Sequence, residues 1–200
     1  MADRQTIQAY DKRADEFVSE WLPKTPADLQ ELIDRYFTKG SRVLDVGSGS
    51  GRDVHWLVDR GYQAEGVDAS EGLLSEARSR YPSQRFRFDA LPLLPATGDG
   101  LFDHVLCSAV LMHLPEYEIS VAAANLRRVL KPGGVLICSV RPSRSSEERE
   151  VDGRLYTNLD VQKLAKYFAA PGWLILEKLT SESRDAGRVW HTIVAKKARI

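Results

Sequence analysis

The segment that most constrains this chain is Val43-Leu44-Asp45-Val46-Gly47-Ser48-Gly49-Ser50-Gly51-Arg52-Asp53, where a short apolar run empties into glycines at every second position and a helical pattern begins. Glycine lets the backbone turn through left-handed conformations and come close to a ligand. The first amides of the following helix have no partner inside it and can donate to that ligand. A strand, a glycine turn and a helix in this order is a building unit of layered α/β folds. Alone, it would serve a dinucleotide as well as another ligand. The spacing is Gly-x-Gly-x-Gly rather than Gly-x-Gly-x-x-Gly, and Asp45 stands just before it, where it could hold an amino group.

The rest of the chain continues the alternation. Strands are predicted at 43–46, 63–67, 85–88, 102–107 and 135–140, with helices at 53–60, 70–81 and 116–130 between them. Ser70 can cap the second of these helices. Short, nearly continuous apolar strands separated by helices indicate a parallel sheet covered on both faces, because right-handed crossovers place the helices there. Two amphipathic helices precede this unit, at 3–21 and 27–37, the first stopped by Pro23 and the second closed by Gly40. After a helix at 159–168, the runs 173–179 and 189–196 flank Asp185-Ala186-Gly187 and read as an antiparallel hairpin.

With 28 basic and 28 acidic side chains the chain is formally neutral, which removes the simplest argument for a nucleic-acid binder. Cys107 and Cys138 each sit in an apolar run without a second ligand nearby, and His55, His104, His113 and His191 are scattered, so neither a disulfide framework nor a metal site is expected. Cys107 and Trp190 read as core. The start is polar, and no stretch approaches the roughly 20 apolar residues of a membrane helix, so the expected location is cytoplasmic, with no membrane partner. The loop 141–154 is rich in Arg and Glu and reads as a solvated connection.

Two more acids end strands. Asp68 closes Gly66-Val67-Asp68 and could accept both hydrogen bonds of a ribose diol, or cap the next helix. Asp89, in Phe88-Asp89-Ala90-Leu91-Pro92, could accept from an adenine amino group. Three acids at three successive strand ends are hard to explain by folding alone.

Together with Phe102-Asp103-His104-Val105-Leu106 and Leu130-Lys131-Pro132-Gly133-Gly134, these segments resemble the successive motifs of class I S-adenosylmethionine-dependent methyltransferases. The likeness is nearest to small bacterial enzymes of broad or unknown substrate range, including relatives of the tellurite-resistance type. It implies a Rossmann-like, seven-stranded, mostly parallel sheet whose C-terminal hairpin supplies one antiparallel strand. Residues 1–40 would form a helical lid and 41–200 the S-adenosylmethionine-binding domain. Tyr10-Asp11-Lys12-Arg13-Ala14-Asp15-Glu16-Phe17 is similar to the first helix by which many relatives close over the cofactor.

The resemblance further implies that Asp45 and the loop Gly47, Ser48, Gly49 and Gly51 face the methionine part of S-adenosyl-L-methionine. Asp68 would face the ribose, Asp89 and Ala90 the adenine, and Ser108 and Ala109 the sulfonium, with Ala69 also at the cofactor. His113 could act as a general base, or hold its loop by donating to a carbonyl. Tyr10, Trp21, Arg141, Arg144 and Tyr156 are candidates for contact with the acceptor. The expected activity is methyl transfer to an O, N or S atom of a small molecule by a monomer or homodimer. A tRNA-modifying enzyme using the loop at 141–154 and Lys196-Lys197-Ala198-Arg199, or a non-catalytic cofactor-binding protein, are the alternatives. No Asn/Asp-Pro-Pro-Tyr/Phe follows the fourth strand, which disfavours action on DNA bases.

Overall fold

A computed structural model describes residues 3–143, 148–182 and 189–199. The N-terminal region holds α1 (Arg4–Lys12), α2 (Ala14–Trp21) and α3 (Ala27–Tyr36). The alternating unit follows as β1 (Arg42–Val46), α4 (Arg52–Asp59), β2 (Gln63–Asp68), α5 (Glu71–Arg80), β3 (Arg85–Phe88), β4 (Phe102–Ser108), α6 (Glu116–Val129) and β5 (Leu130–Val140). It ends with α7 (Val161–Tyr167), β6 (Trp173–Glu182) and β7 (Val189–Lys197). The expected turn at Asp185-Ala186-Gly187, and Arg144, lie outside the described residues.

All seven strands join one sheet in the order β3-β2-β1-β4-β5-β7-β6. β7 runs antiparallel to both of its neighbours, so it is the one reversed strand, as the resemblance implied. The chain builds outward from β1 through β2 to β3, then returns to lay β4 on the other side of β1. That reversal opens a crevice between the carboxyl ends of β1 and β4, the place where open α/β sheets bind ligands.

The two faces of the sheet bury different helices. On one, Val43, Leu106, Ile137 and Val194 pack against Leu29, Leu32 and Ile33 of α3 and Leu57 of α4. On the other, Leu44, Val105, Leu136 and Cys138 meet α6 and α7 through Ile119, Leu126 and Leu164. Each of these large aliphatic side chains contributes about 1.5–3 kcal/mol by leaving water, which fixes the strand faces and therefore the register. Cys107 is fully buried in the second cluster, as expected.

The single N-terminal helix expected over 3–21 is two helices. Arg13 leaves the helical region at φ −131°, ψ 31°. Thr6 of α1 accepts from the Leu155 amide at 2.9 Å, while Ala14 and Val18 of α2 pack on Leu73 of α5, a helix that α1 also meets through Asp11. Asp3 caps α1 by accepting from the Thr6 amide at 2.9 Å. β5 starts five residues earlier than expected, at Leu130, because α6 runs into it without an intervening loop.

Candidate active site

The glycine turn is held by backbone geometry. Gly47, Gly49 and Gly51 have φ of 76°, 51° and 77°, where residues with a side chain are strained. A Cβ at Gly47 would also lie 2.2 Å from Val110 Cγ2. The amides of Gly47 and Ser48 donate to the Val67 carbonyl at 2.8 and 3.0 Å, tying the turn to β2.

A cavity of about 990 Å³ runs along the carboxyl edge of the sheet from this turn. Of the described residues expected at the site, all but Gly51 and Tyr156 line it. Gly51 instead begins α4, and a Cβ there would strike the Phe86 ring at 2.7 Å, so its role is to let α4 and β3 approach. Tyr156 is 2% exposed and stands behind Arg141, accepting a hydrogen bond from its Nη2 and lying 4.7 Å beneath its guanidinium.

The three acids differ in how they are partnered. Asp45 is 3% exposed, and its carboxylate receives no hydrogen bond among the described residues. Burial, then the neighbouring carboxylate of Asp53, push its pKa well above the usual range, opposed by Arg52. Asp68 accepts from the amides of Gly49 (2.8 Å) and Ser70 (2.9 Å), which offset part of the upward shift that burial causes. Asp89 accepts from Thr97 Oγ1 at 2.6 Å and from its neighbour's amide, Ala90, at 3.0 Å. Ser70 does cap α5, accepting from the Leu73 amide at 3.1 Å, so capping falls to the serine and leaves Asp68 at the strand end.

Across the crevice, Ser108 Oγ and Ser139 Oγ are 2.8 Å apart. Ala109 takes φ 60°, an unusual conformation for a residue with a Cβ, and its amide donates to the Ser139 carbonyl at 2.8 Å. His113 follows in a single 3-10 turn, Leu111–His113. Both of its ring nitrogens are engaged: Nδ1 lies 2.7 Å from the Leu155 carbonyl and Nε2 2.8 Å from the Tyr10 hydroxyl. The carbonyl can only accept, so Nδ1 carries the proton and Nε2 accepts from Tyr10. Burial brings the His113 pKa down to about 4, so the ring is neutral near pH 7.

Helices α1 and α2 reach the cavity through Tyr10 and Trp21, whose rings are 5.8 Å apart. Arg154 lies over the rings of Tyr10 and Phe17 at 5.4 and 4.7 Å and pairs with Asp152 at 2.9 Å. Composition placed Arg154 in a solvated loop, and nothing local distinguishes it from its neighbours. Trp190, expected in the core, is only partly buried and lines the cavity, because β7 lies inside the sheet and presents it above the edge. No group of three or more side chains suited to a metal ion occurs among the described residues.

This strand order, with a glycine turn and strand-end acids around one crevice, defines the class of S-adenosylmethionine-dependent methyltransferases. Residues 44–138 match the model of a methyltransferase domain. A candidate methyltransferase of Encephalitozoon cuniculi is 35% identical over 151 residues, covering 74% of this chain and 67% of that protein. Trans-aconitate 2-methyltransferase of Variovorax paradoxus is 33% identical over 118 residues, 58% of this chain but only 44% of the relative. Among solved structures, 1,6-didemethyltoxoflavin-N1-methyltransferase of Burkholderia thailandensis, with S-adenosylhomocysteine bound, has a TM-score of 0.78 at 21% identity, covering 97% and 88% of the two chains. The chain belongs to this methyltransferase family, and S-adenosylmethionine is its cofactor.

Proposed function

We propose that the protein transfers the methyl group of S-adenosylmethionine to an O, N or S atom of a small molecule, in the cytoplasm, as the small bacterial enzymes it resembles would. The residues fit the cofactor. Asp45 is a buried carboxylate with no hydrogen-bond partner among the described residues, a costly arrangement that an ammonium group would relieve. Asp68 and Ala69 face the ribose, Asp89 and Ala90 the adenine, and Gly47, Ser48 and Gly49 the methionine chain. Bound there, the sulfonium supplies an already activated methyl group, so alignment is the main demand on the protein.

The observation that carries the small-molecule reading is the cavity itself. It continues past Ser108 and Ala109 to Ser139, Arg141, Leu179 and Thr192, space the cofactor residues do not account for, and α1 and α2 roof it. Tyr10 meets any acceptor there, and its hydroxyl donates to His113, whose neutral ring can take up a proton that Tyr10 passes on. The tRNA alternative loses its basic tail: Lys196 and Lys197 belong to β7, Lys196 pairs with Val135, and Lys197 Nζ donates to the Leu130 carbonyl at 2.6 Å, at the sheet edge opposite the cavity.

The test is S-adenosylhomocysteine formation with a panel of small acceptors and with bulk tRNA, alongside hydrogen exchange with and without cofactor. Turnover on small molecules and protection of residues 4–21 are expected. Turnover on tRNA alone would overturn the reading, and unchanged exchange in 4–21 would overturn the lid.

A further inference from the structure

The face of the sheet that carries Leu106, Ile137 and Val194 changes character two residues toward the carboxyl edge. Those three are register partners on β4, β5 and β7 and pack under α3. Because side chains alternate, the same face next presents Ser108, Ser139, Thr192 and Leu179, again direct partners across β4, β5, β7 and β6. All four line the cavity, with Trp190 one step higher on β7. The floor beyond the cofactor residues is thus three hydroxyls in a row ending in an aliphatic side chain, beside an indole.

The charges around this floor are nearly all committed. Of the cations lining the cavity, Lys24 pairs with Glu20, Arg35 with Glu177, Arg52 with Asp53 and Arg154 with Asp152. Arg141 is different: among the described residues no carboxylate lies within ion-pair distance of it. It is nonetheless held, by the buried ring and hydroxyl of Tyr156, which itself packs edge-on to His113 at 4.8 Å. Nη1 of Arg141 also lies 3.5 Å from the Pro142 carbonyl, and a planar guanidinium held in this way in the cavity wall is suited to a two-pronged grip on a carboxylate. Asp28, Glu31 and Glu150 also line the cavity, and their charge weighs against a doubly charged phosphate.

We propose that the methyl acceptor is a small carboxylic acid, anchored by its carboxylate to Arg141, with its body on the Ser108, Ser139 and Thr192 row beside Trp190. This rests on the small-molecule reading above. The carboxylate is the anchor, and the atom that takes the methyl group is another one, nearer Ser108.

The test is calorimetric binding of phenylacetate, phenylacetamide and phenyl phosphate to the full chain saturated with S-adenosylhomocysteine. Phenylacetate should bind roughly 10- to 100-fold tighter than the amide, the usual worth of hydrogen bonds to a charged group. Arg141→Gln should abolish that preference while binding S-adenosylhomocysteine as the parent does, which also shows that it is folded. Arg141→Lys should recover part of the preference, and Trp190→Ala should weaken acid and amide alike. Equal binding of acid and amide, no binding of either, tighter binding of phenyl phosphate, or a preference surviving in Arg141→Gln would each overturn the proposal. Failure of the parent chain to bind S-adenosylhomocysteine would instead sink the reading on which it rests.

Discussion

At the β1–β3 end of the cavity each polar group sits at the tip of its own strand and is written in the sequence beside that strand. At the β4–β7 end the wall is assembled from hydroxyls on three strands, one residue of a long loop and two aromatic rings from α1 and α2. The first end is a set of local motifs. The second exists only once strand order, register and the N-terminal helices are in place. The contrast suits a division of labour in which one ligand is fixed for the whole family and the other differs from member to member, since residues drawn from separate segments can change without disturbing the glycine turn.

The sharpest way to break this contrast is at Asp45. Asp45→Asn should weaken S-adenosylmethionine binding by about 3 kcal/mol, on the order of 100-fold, by removing the partner of a buried cation. At pH values where the carboxyl is ionised, the same change should raise the urea midpoint of the cofactor-free protein, because a charge that burial disfavours disappears. The raised pKa of Asp45 has a further consequence: an ammonium ligand favours the ionised form, so cofactor binding should release protons and weaken as pH falls. Calorimetry in buffers of different ionisation enthalpy reads this directly. A variant that binds cofactor normally would show that the first end is not organised as described.

His113 probes the second end. Its folded pKa, about 4, lies below the ordinary value of 6.5, so the unfolded chain takes up the proton first. Its contribution to stability is complete above about pH 6.5 and is lost as pH falls toward 4, on the order of 3 kcal/mol in all. His104, also brought to about 4 by burial, titrates in the same window. The comparison that isolates His113 is therefore the urea midpoint of His113→Gln against the parent at pH 7.5 and pH 5, with a gap that shrinks at the lower pH. A constant gap would mean that the Tyr10 and Leu155 contacts do not depend on a neutral ring.

A smaller effect distinguishes two acids of the first end. Asp68→Ala should cost roughly 1.5–3 kcal/mol in cofactor binding, whereas Asp89→Asn should cost less, because an amide oxygen still accepts at that position. Parallel titrations decide, and the reverse order would exchange their assignments.

The sequence made the sheet legible because hydrophobic alternation and turn residues report on each strand separately, and the strand-end acids and Ser70 cap followed from the same local reading. It could not reveal Trp190 or Thr192 as cavity walls, since alternation says which residues share a face but not which face opens. Arg13 carries no breaker signature, although the helix breaks there. Gly51 reads as a ligand glycine until Phe86 is seen against it.

Ser70 connects α1 to the end of the cavity that holds Asp68. Its amide donates to Asp68, its hydroxyl donates to Asp11 of α1 at 2.6 Å, and that same oxygen caps α5, while Gly72 leaves room for the Asp11 backbone 3.0 Å from where a Cβ would stand. A ligand that drew on the Asp68 carboxylate would therefore act on a group one serine away from α1. Linkage would make the effect mutual: whatever free energy the docking of α1 added to binding at Asp68, binding at Asp68 would return to the docking of α1. Cofactor affinity and the opening of α1 would then be two readings of one equilibrium.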